Sequence, residues 1–183
     1  MIGVGGVILL RKMKAILLTI LAFGALEGAA SAQAMFTGSI GNVFGGDAPA
    51  KKRTWAVAIG GGGAHGIGSE LEFSETRNFF NTEAGVVPVK VVTLMPSIFV
   101  MVPVSKIRPY GIFGFGFIRQ RPEGGGGIFS DLSDEDIGYS VGGGVTFQFA
   151  RHAGIRADLR HFKVRKAEGI SFRRFLVGIV LGG

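Results

Sequence analysis

The chain has 183 residues, with 20 basic and 13 acidic residues, a formal net charge of +7 and no cysteine. This length suits one domain, and the lack of cysteine excludes a disulfide scaffold, a thiolate metal site and a cysteine nucleophile. Glycine (32) and phenylalanine (16) are abundant. Because no helix-length amphipathic pattern follows the N-terminal segment, this composition favours β-strands.

The N-terminal segment is typical of a secretory signal peptide. A basic cluster at Arg11, Lys12 and Lys14 precedes an apolar run over residues 15–26, and the small-residue motif Ala-Ser-Ala follows at 30–32. The apolar run is shorter than the roughly 20 residues that a transmembrane helix needs. The order of these three regions therefore predicts export with cleavage after the motif.

The cleavage motif sets the domain boundaries. We predict that residues 1–32 are the signal peptide, with Met13 as an alternative start, and that residues 33–183 form one exported domain. The exported part contains no long basic run. Together with export, this argues against nucleic acid as a partner.

Short runs that alternate between apolar and small or polar residues follow the signal peptide, as expected of strands with two different faces. In chain order we predict eight strands, at 35–44, 54–62, 66–74, 86–102, 108–120, 137–149, 154–164 and 172–181. Pro96 inside the fourth indicates a bulge or a break. Longer connections, beginning with GGDAPAKKR between the first two strands, alternate with short turns. This pattern predicts an outer-membrane barrel with both termini in the periplasm.

The two faces of the predicted strands differ in polarity and size. We assign lipid contact to five residues of the apolar face: Phe113, Phe115, Phe117, Val145 and Phe147. The other face is rich in glycine, including Gly114, Gly142 and Gly144, which suits a narrow lumen. Aromatic residues near strand ends are interpreted as interfacial girdles, with core packing as the alternative: Trp55, Tyr110, Tyr139, Phe149 and Phe172.

Charged residues occur in the middle of the third and seventh strands, on the glycine-rich face. They are Glu70, Glu72, Arg156, Asp158 and Arg160. An arginine on the lipid face would cost about 2–4 kcal/mol at the membrane midplane, so we predict that these residues form a charge network in the lumen. Our interpretation is a salt-bridged plug, and the alternative is a gate or ion path.

Two motifs in the C-terminal half carry a resemblance to a known family. IRPYGIFGFGFIRQ at 107–120 and IGYSVGGGVTFQFARHAGIRADLRHFKV at 137–164 resemble paired strands of the small OmpA/OmpX-like outer-membrane β-barrels, the porin-like eight-stranded family. The resemblance implies a closed antiparallel eight-stranded transmembrane up-and-down β-barrel, all-β, in the outer membrane of a diderm bacterium. It also implies outer-membrane lipid, lipopolysaccharide and the barrel-assembly machinery as partners.

The resemblance departs from the family pattern at the end of the chain. Such barrels usually end in an aromatic residue that the insertion machinery reads, whereas this sequence ends VLGG. Either Phe175 with the apolar residues that follow it serves instead, or this sequence does not carry the natural end.

Catalytic residues, metal ligands and cofactors are not predicted. A lipid A hydrolase on such a barrel needs a serine near a histidine and an orienting acid. His65 and His152 fall in predicted turns, and His161 has lipid-facing parity near the headgroup zone. The runs of four glycines at 60–63 and 124–127 lack the Lys-Ser/Thr of a phosphate loop. The acidic segment at 131–136 lacks a diagnostic calcium spacing, and we expect a non-enzymatic protein.

Three functions stay open on the sequence. The first is a structural or surface-interaction role for a small outer-membrane barrel. The second is a narrow porin-like channel, with the charge network as its filter. The third is a soluble periplasmic lipocalin-like barrel that holds an apolar ligand inside, with its charged face outward.

Overall fold

The structure is a computed structural model that describes residues 33–62, 66–80, 89–102, 104–122, 137–165 and 169–182. The predicted signal peptide and its cleavage motif lie outside the described residues. Eight strands make up the fold: β1 (Gln33–Gly45), β2 (Ala48–Gly62), β3 (Ile67–Thr76), β4 (Val89–Met101), β5 (Ile107–Pro122), β6 (Ile137–Ala150), β7 (Ala153–Val164) and β8 (Ser171–Gly182).

The strands form one closed barrel. Each strand pairs antiparallel with the next along the chain, and β1 also pairs with β8. At this seam Met35 lies opposite Gly182 and Phe44 lies opposite Arg173. The predicted closed antiparallel eight-stranded up-and-down fold is therefore confirmed. Within the described ranges, no helix is long and apolar enough to cross a membrane.

The alternation of residues along each strand decides which side chains enter the barrel. In β7, Arg156, Asp158 and Arg160 are buried, while Ile155 and Leu159 between and beside them are exposed on the outside. Because successive side chains of a strand point to opposite faces, the whole polar set of β7 shares the lumen. The same period of two holds in β3 and β8.

The first connection is shorter than predicted. β1 and β2 are joined by a two-residue turn at Gly46 and Asp47, so most of the GGDAPAKKR segment belongs to β2 and the prediction of a long loop there was wrong. Gly45 and Gly46 have φ of 65° and 62°, in the region that favours glycine. The Asp47 carboxylate accepts a 2.7 Å hydrogen bond from the backbone N–H of Ser171, which ties the turn to β8.

Pro96 neither ends β4 nor shifts its register. It pairs with Leu71 of β3, and the register with β5 is the same before and after it. Only the pairing of Met95 and Pro96 with β5 is missing. Proline lacks the N–H that would donate to the ladder, so the local loss is expected, but the predicted bulge or break is wrong.

The two rims of the barrel differ in the length of their connections. The short-turn rim holds the start of β1, the end of β8 and the connections at 63–66, 102–106 and 151–152. The long-connection rim holds the β1–β2 turn and the connections at 77–88, 123–136 and 165–170. This alternation follows the predicted pattern except at the first connection.

Two apolar clusters fill the lumen toward the rims. The long-rim cluster consists of Val43, Ala48, Phe79, Val91, Met95, Ile118, Phe162, Val164, Ile170 and Phe172, all buried. The short-rim cluster consists of Phe99, Tyr110 and Ile112, with Met35 and Met101 packed against them. The charged residues of β3 and β7 lie between these clusters along the strands.

Candidate functional site

The candidate site is a layer of charged side chains that crosses the lumen. β3 supplies Glu70 and Glu72, and β7 supplies Arg156, Asp158 and Arg160, each from an inward-facing position. All five predicted residues are at most 7% exposed. β3 and β7 are not adjacent in the sheet, so contacts between their side chains span the barrel.

Glu70 is held by two arginines from the opposite wall. Nη1 of Arg156 lies 2.7 Å from its Oε2, and Nη2 of Arg160 lies 2.7 Å from its Oε1. Charge-assisted hydrogen bonds of this length are among the strongest that side chains make. Both carboxylate oxygens of Glu70 are therefore paired, which offsets the cost of burying its charge.

Asp158 separates the two arginines of its own strand. Its Oδ1 accepts a hydrogen bond from Nε of Arg160 at 2.7 Å, and its Oδ2 lies 3.4 Å from Nη2 of Arg156. The Tyr110 hydroxyl donates to Oδ2 of Asp158 and accepts from Nε of Arg156, both at 2.6 Å. The Arg156 guanidinium also lies 4.5 Å from the centre of the Tyr110 ring.

Arg174 of β8 extends the network, and the sequence analysis missed it. It is 1% exposed, donates a short hydrogen bond to Glu72, and donates to the Ser74 hydroxyl at 2.8 Å. Its guanidinium lies 4.6 Å from the centre of the Phe162 ring, which joins the network to the long-rim cluster. The alternation of β8 places Arg174 on the same face as Leu176, and that parity was the signal that could have found it.

The charges of the network balance. Glu72 also belongs to the network, because Oε2 of Glu72 lies 3.4 Å from Nη2 of Arg160. The members are three carboxylates and three guanidinium groups: Glu70, Glu72, Asp158, Arg156, Arg160 and Arg174. A layer with no net charge has no electrostatic preference for one ion sign, whereas a ring of one sign would have one.

Tyr110 and Phe172 do not belong to an interfacial girdle, and that prediction was wrong for both. Tyr110 shares the inward face of β5 with Gly114, and Phe172 shares the inward face of β8 with Arg174. The Phe172 ring stacks on Phe162 with centroids 4.9 Å apart. Of the remaining three girdle residues, Trp55 and Phe149 are exposed on the outer surface and Tyr139 is half-buried there.

The five residues assigned to lipid contact lie on the outer surface. Phe113 and Phe115 are each 48% exposed, and Phe147 is 45% exposed. Val145 is exposed and Phe117 is half-buried on the same face. Gly114, between two of these phenylalanines, is buried and faces the lumen.

Cavities line the lumen at two levels of the described strands. One of about 90 Å³ lies at the short-turn rim, and its lining includes Phe99, Arg108 and Gln148. The other, about 10 Å³, lies beside the charge network against Thr37 and Ala58, among others. They share no lining residue.

Neither of the two histidines that the structure describes lies in the lumen. His152 is exposed in the β6–β7 turn, His161 is half-buried on the outer face of β7, and His65 lies outside the described residues. The run of glycines at 124–127 and the acidic segment at 131–136 also lie outside. In the part of the chain that the structure describes, no three His, Cys, Asp or Glu side chains are placed to hold a metal ion.

A closed antiparallel barrel with an apolar outer face and a polar, side-chain-filled lumen defines the class of outer-membrane β-barrels. Residues 15–181 match the family described as Outer membrane protein beta-barrel domain. The chain belongs to this family and is an outer-membrane protein. The alternative of a soluble lipocalin-like barrel is wrong, because the apolar side chains face outward and the charges face inward.

Solved structures of small barrels share this fold. Neisserial surface protein A (NspA) superimposes with a TM-score of 0.66 at 16% identity, covering 85% of this chain and 99% of that one. Ail, the attachment invasion locus protein of Yersinia pestis, solved with the heparin analogue sucrose octasulfate, gives 0.58 at 13% identity, covering 84% and 99%. At these identities the similarity shows the fold alone. No curated protein matches the sequence.

Proposed function

We propose that the protein is a non-conducting, non-enzymatic outer-membrane barrel with a structural or surface-interaction role. The charge-balanced network that crosses the lumen carries this proposal. Glu70 on one wall and Arg156 and Arg160 on the other are joined at 2.7 Å. A permeating ion would have to separate these partners, and breaking a buried pair costs about 3–5 kcal/mol.

The apolar clusters on both sides of the network support the same proposal. Phe79 is fully buried just after β3, and its ring packs edge-on against Phe172 at 5.3 Å. On the other side, the Phe99 and Tyr110 rings pack at 6.5 Å. Hydrophobic constrictions exclude water from a narrow pore, so these layers oppose hydration of the lumen.

The longer connections are the segments that we propose for surface interaction. In outer-membrane barrels the longer connections face the outside of the cell and the short turns face the periplasm. This orientation puts the long-connection rim at the cell surface. The barrel would then act as a rigid scaffold for these segments, with the lumenal network holding β3, β7 and β8 together.

Conductance of the purified barrel in planar bilayers tests the proposal. We expect no steady conductance from the unmodified protein. The double variant Glu70→Ala/Arg160→Ala removes one charge of each sign from the middle of the layer, and we expect it to conduct more. A matched variant outside the lumen, Phe113→Ala/Phe115→Ala, should stay closed.

A large, steady conductance of the unmodified protein would contradict the plug. It would favour the alternative of a narrow channel, with the same six charged residues as its selectivity filter. The non-enzymatic part of the proposal needs a separate test, because conductance does not report on hydrolysis of a lipid. Lipopolysaccharide incubated with the protein should keep its mass, and loss of an acyl chain would contradict this part.

A further inference from the structure

Basic side chains are distributed unevenly over the outer wall. On the described strands, the outward-facing lysines and arginines all lie in the half next to the long-connection rim: Lys51, Arg53, Lys90, Arg119, Lys163 and Arg173. The half next to the short-turn rim has apolar outward residues instead, such as Ile155, Ile179 and Leu181. On the strands, the outer wall is therefore cationic toward the long-connection rim and apolar toward the short-turn rim, where the exposed cations Lys106 and Arg151 belong to the turns.

Two of these cations, Lys163 and Arg173, occupy diagonal positions on the neighbouring strands β7 and β8. The register places Arg173 opposite His161, and it places Lys163 opposite both Ser171 of β8 and Tyr139 of β6. Opposite residues have Cβ atoms about 4.5–5.5 Å apart, and diagonal neighbours about 7–8 Å. Lys163, Arg173, His161 and Tyr139 thus form one patch of hydrogen-bond donors, which we name the β7–β8 patch.

The β7–β8 patch has no acidic partner in the described part of the chain. The ion pairs there join the six lumenal residues to one another and Arg77 to Glu75, and none includes Lys163 or Arg173. Glu75 is the one outward-facing acid on the described strands, and it belongs to β3. Cations at neighbouring positions of a sheet repel each other, so this patch has an unmet preference for an anion.

Apolar side chains continue the patch toward the membrane midplane. Leu159 and Phe175 lie opposite each other, two residues nearer the midplane than His161 and Arg173. They are 49% and 42% exposed, and Val141 and Val177 beside them are exposed as well. The β7–β8 patch thus has hydrogen-bond donors near the rim and an apolar surface next to them on the side of the midplane. This arrangement matches a lipid with a phosphorylated headgroup and acyl chains.

We propose that the β7–β8 patch binds a phosphate group of lipopolysaccharide in the outer leaflet. Lys163 and Arg173 supply the positive charge, and His161 and Tyr139 supply further hydrogen-bond donors. The acyl chains lie over Leu159 and Phe175. The proposal depends on the position of the barrel in the outer membrane and not on the lumenal plug, because Lys163 and Arg173 point away from the lumen.

Native mass spectrometry of the folded full-length barrel with purified lipopolysaccharide measures this binding. Lys163→Gln/Arg173→Gln should weaken the one-to-one complex roughly 30-fold, since each cation near an anionic lipid surface contributes a factor of about five. The charge-conserving variant Lys163→Arg/Arg173→Lys should stay within about threefold of the unmodified protein. The control Lys90→Gln/Arg119→Gln removes the same charge from β4 and β5 at the same rim, where Glu75 of β3 lies diagonally across from Lys90 and already supplies an acid. This control should also stay within about threefold of the unmodified protein.

The lipid probes distinguish the phosphate from the rest of the molecule. Dephosphorylated lipopolysaccharide should bind the unmodified protein and the Lys163→Gln/Arg173→Gln variant equally, and inorganic phosphate should not displace the intact lipid. Equal affinity of both proteins for intact lipopolysaccharide would overturn the proposal. So would an equal loss in the Lys90→Gln/Arg119→Gln control, which would indicate diffuse attraction, and so would displacement by inorganic phosphate.

Discussion

Arg156 and Glu70 are 86 positions apart in the chain, and Nη1 of the arginine lies 2.7 Å from Oε2 of the glutamate inside the barrel. Both side chains are at most 8% exposed. Two charges so deeply buried stabilise the barrel only as partners, because either one alone would lose its hydration without compensation. The contact also joins strands that are not neighbours in the sheet.

Removing one member of this pair should destabilise the barrel more than removing both members. Arg156→Ala should lower the free energy of unfolding by about 3–5 kcal/mol, since it leaves Glu70 short of a partner. In Glu70→Ala/Arg156→Ala, Asp158 and Arg160 still pair at 2.7 Å, so part of that loss should be recovered. Urea unfolding followed by fluorescence of Trp55, the single tryptophan, measures each variant.

Arg53→Ala is the control for this cycle, since Arg53 is exposed on the outside and such changes usually stay within about 0.5 kcal/mol. The double-mutant cycle isolates the interaction between Glu70 and Arg156. Strictly additive losses in the double variant would mean that these two charges do not interact.

The Tyr110 hydroxyl should stabilise the network by a measurable amount. Tyr110→Phe keeps the ring beside Arg156 but removes the hydroxyl. That hydroxyl accepts a hydrogen bond from Nε of Arg156 and donates one to Asp158. An unsatisfied buried group costs about 1–3 kcal/mol, and we expect a loss of that size in the same unfolding experiment. Tyr139→Phe on the outer wall should change stability by less than about 0.5 kcal/mol. Equal effects of the two changes would argue against the hydroxyl contacts.

Alternation along the strands predicted the barrel, and the small glycine-rich face with its mid-strand charges was needed to assign the inside and the outside. Alternation works because a closed sheet has only two surfaces, and a shift of one residue would move every side chain to the wrong one. The same parity would have placed Arg174 and Tyr110 in the lumen. We instead gave weight to residue type, taking an aromatic near a strand end as an interfacial residue.

The long-rim cluster could not be predicted in this way. Phe79 follows β3 in a segment without alternation, and its buried position depends on where the chain turns back toward Val89, whose carbonyl accepts its N–H. The contact that ties the turn at Gly46 and Asp47 to β8 joins Asp47 to Ser171, 124 positions away. Contacts over such separations leave no local pattern in the sequence.

Gly144 on the inner face of β6 and Gly111 on the outer face of β5 should respond in opposite ways to alanine. A Cβ at Gly144 would collide with the Ala157 carbonyl oxygen and the Tyr110 hydroxyl, whereas a Cβ at Gly111 would meet nothing within 4 Å. Gly144→Ala should therefore cost about 1–3 kcal/mol through overpacking. Gly111→Ala should be neutral or stabilise by up to about 1 kcal/mol. The thermal midpoint of heat-modifiable gel migration compares both, and a tolerated Gly144→Ala would contradict the tight lumenal wall.

Phe115, near the middle of β5 and facing outward, tests the assigned polarity of the barrel. Phe115→Arg should hinder assembly, because an arginine at the membrane midplane costs about 2–4 kcal/mol. The chain has no cysteine, so Phe115→Cys and the rim control Lys51→Cys each give one reactive thiol. In vesicles, a water-soluble maleimide should label position 51 and spare position 115, while a lipid-soluble one should label 115. Ready labelling of position 115 from water, with none from the lipid phase, would reverse the inside and outside of β5.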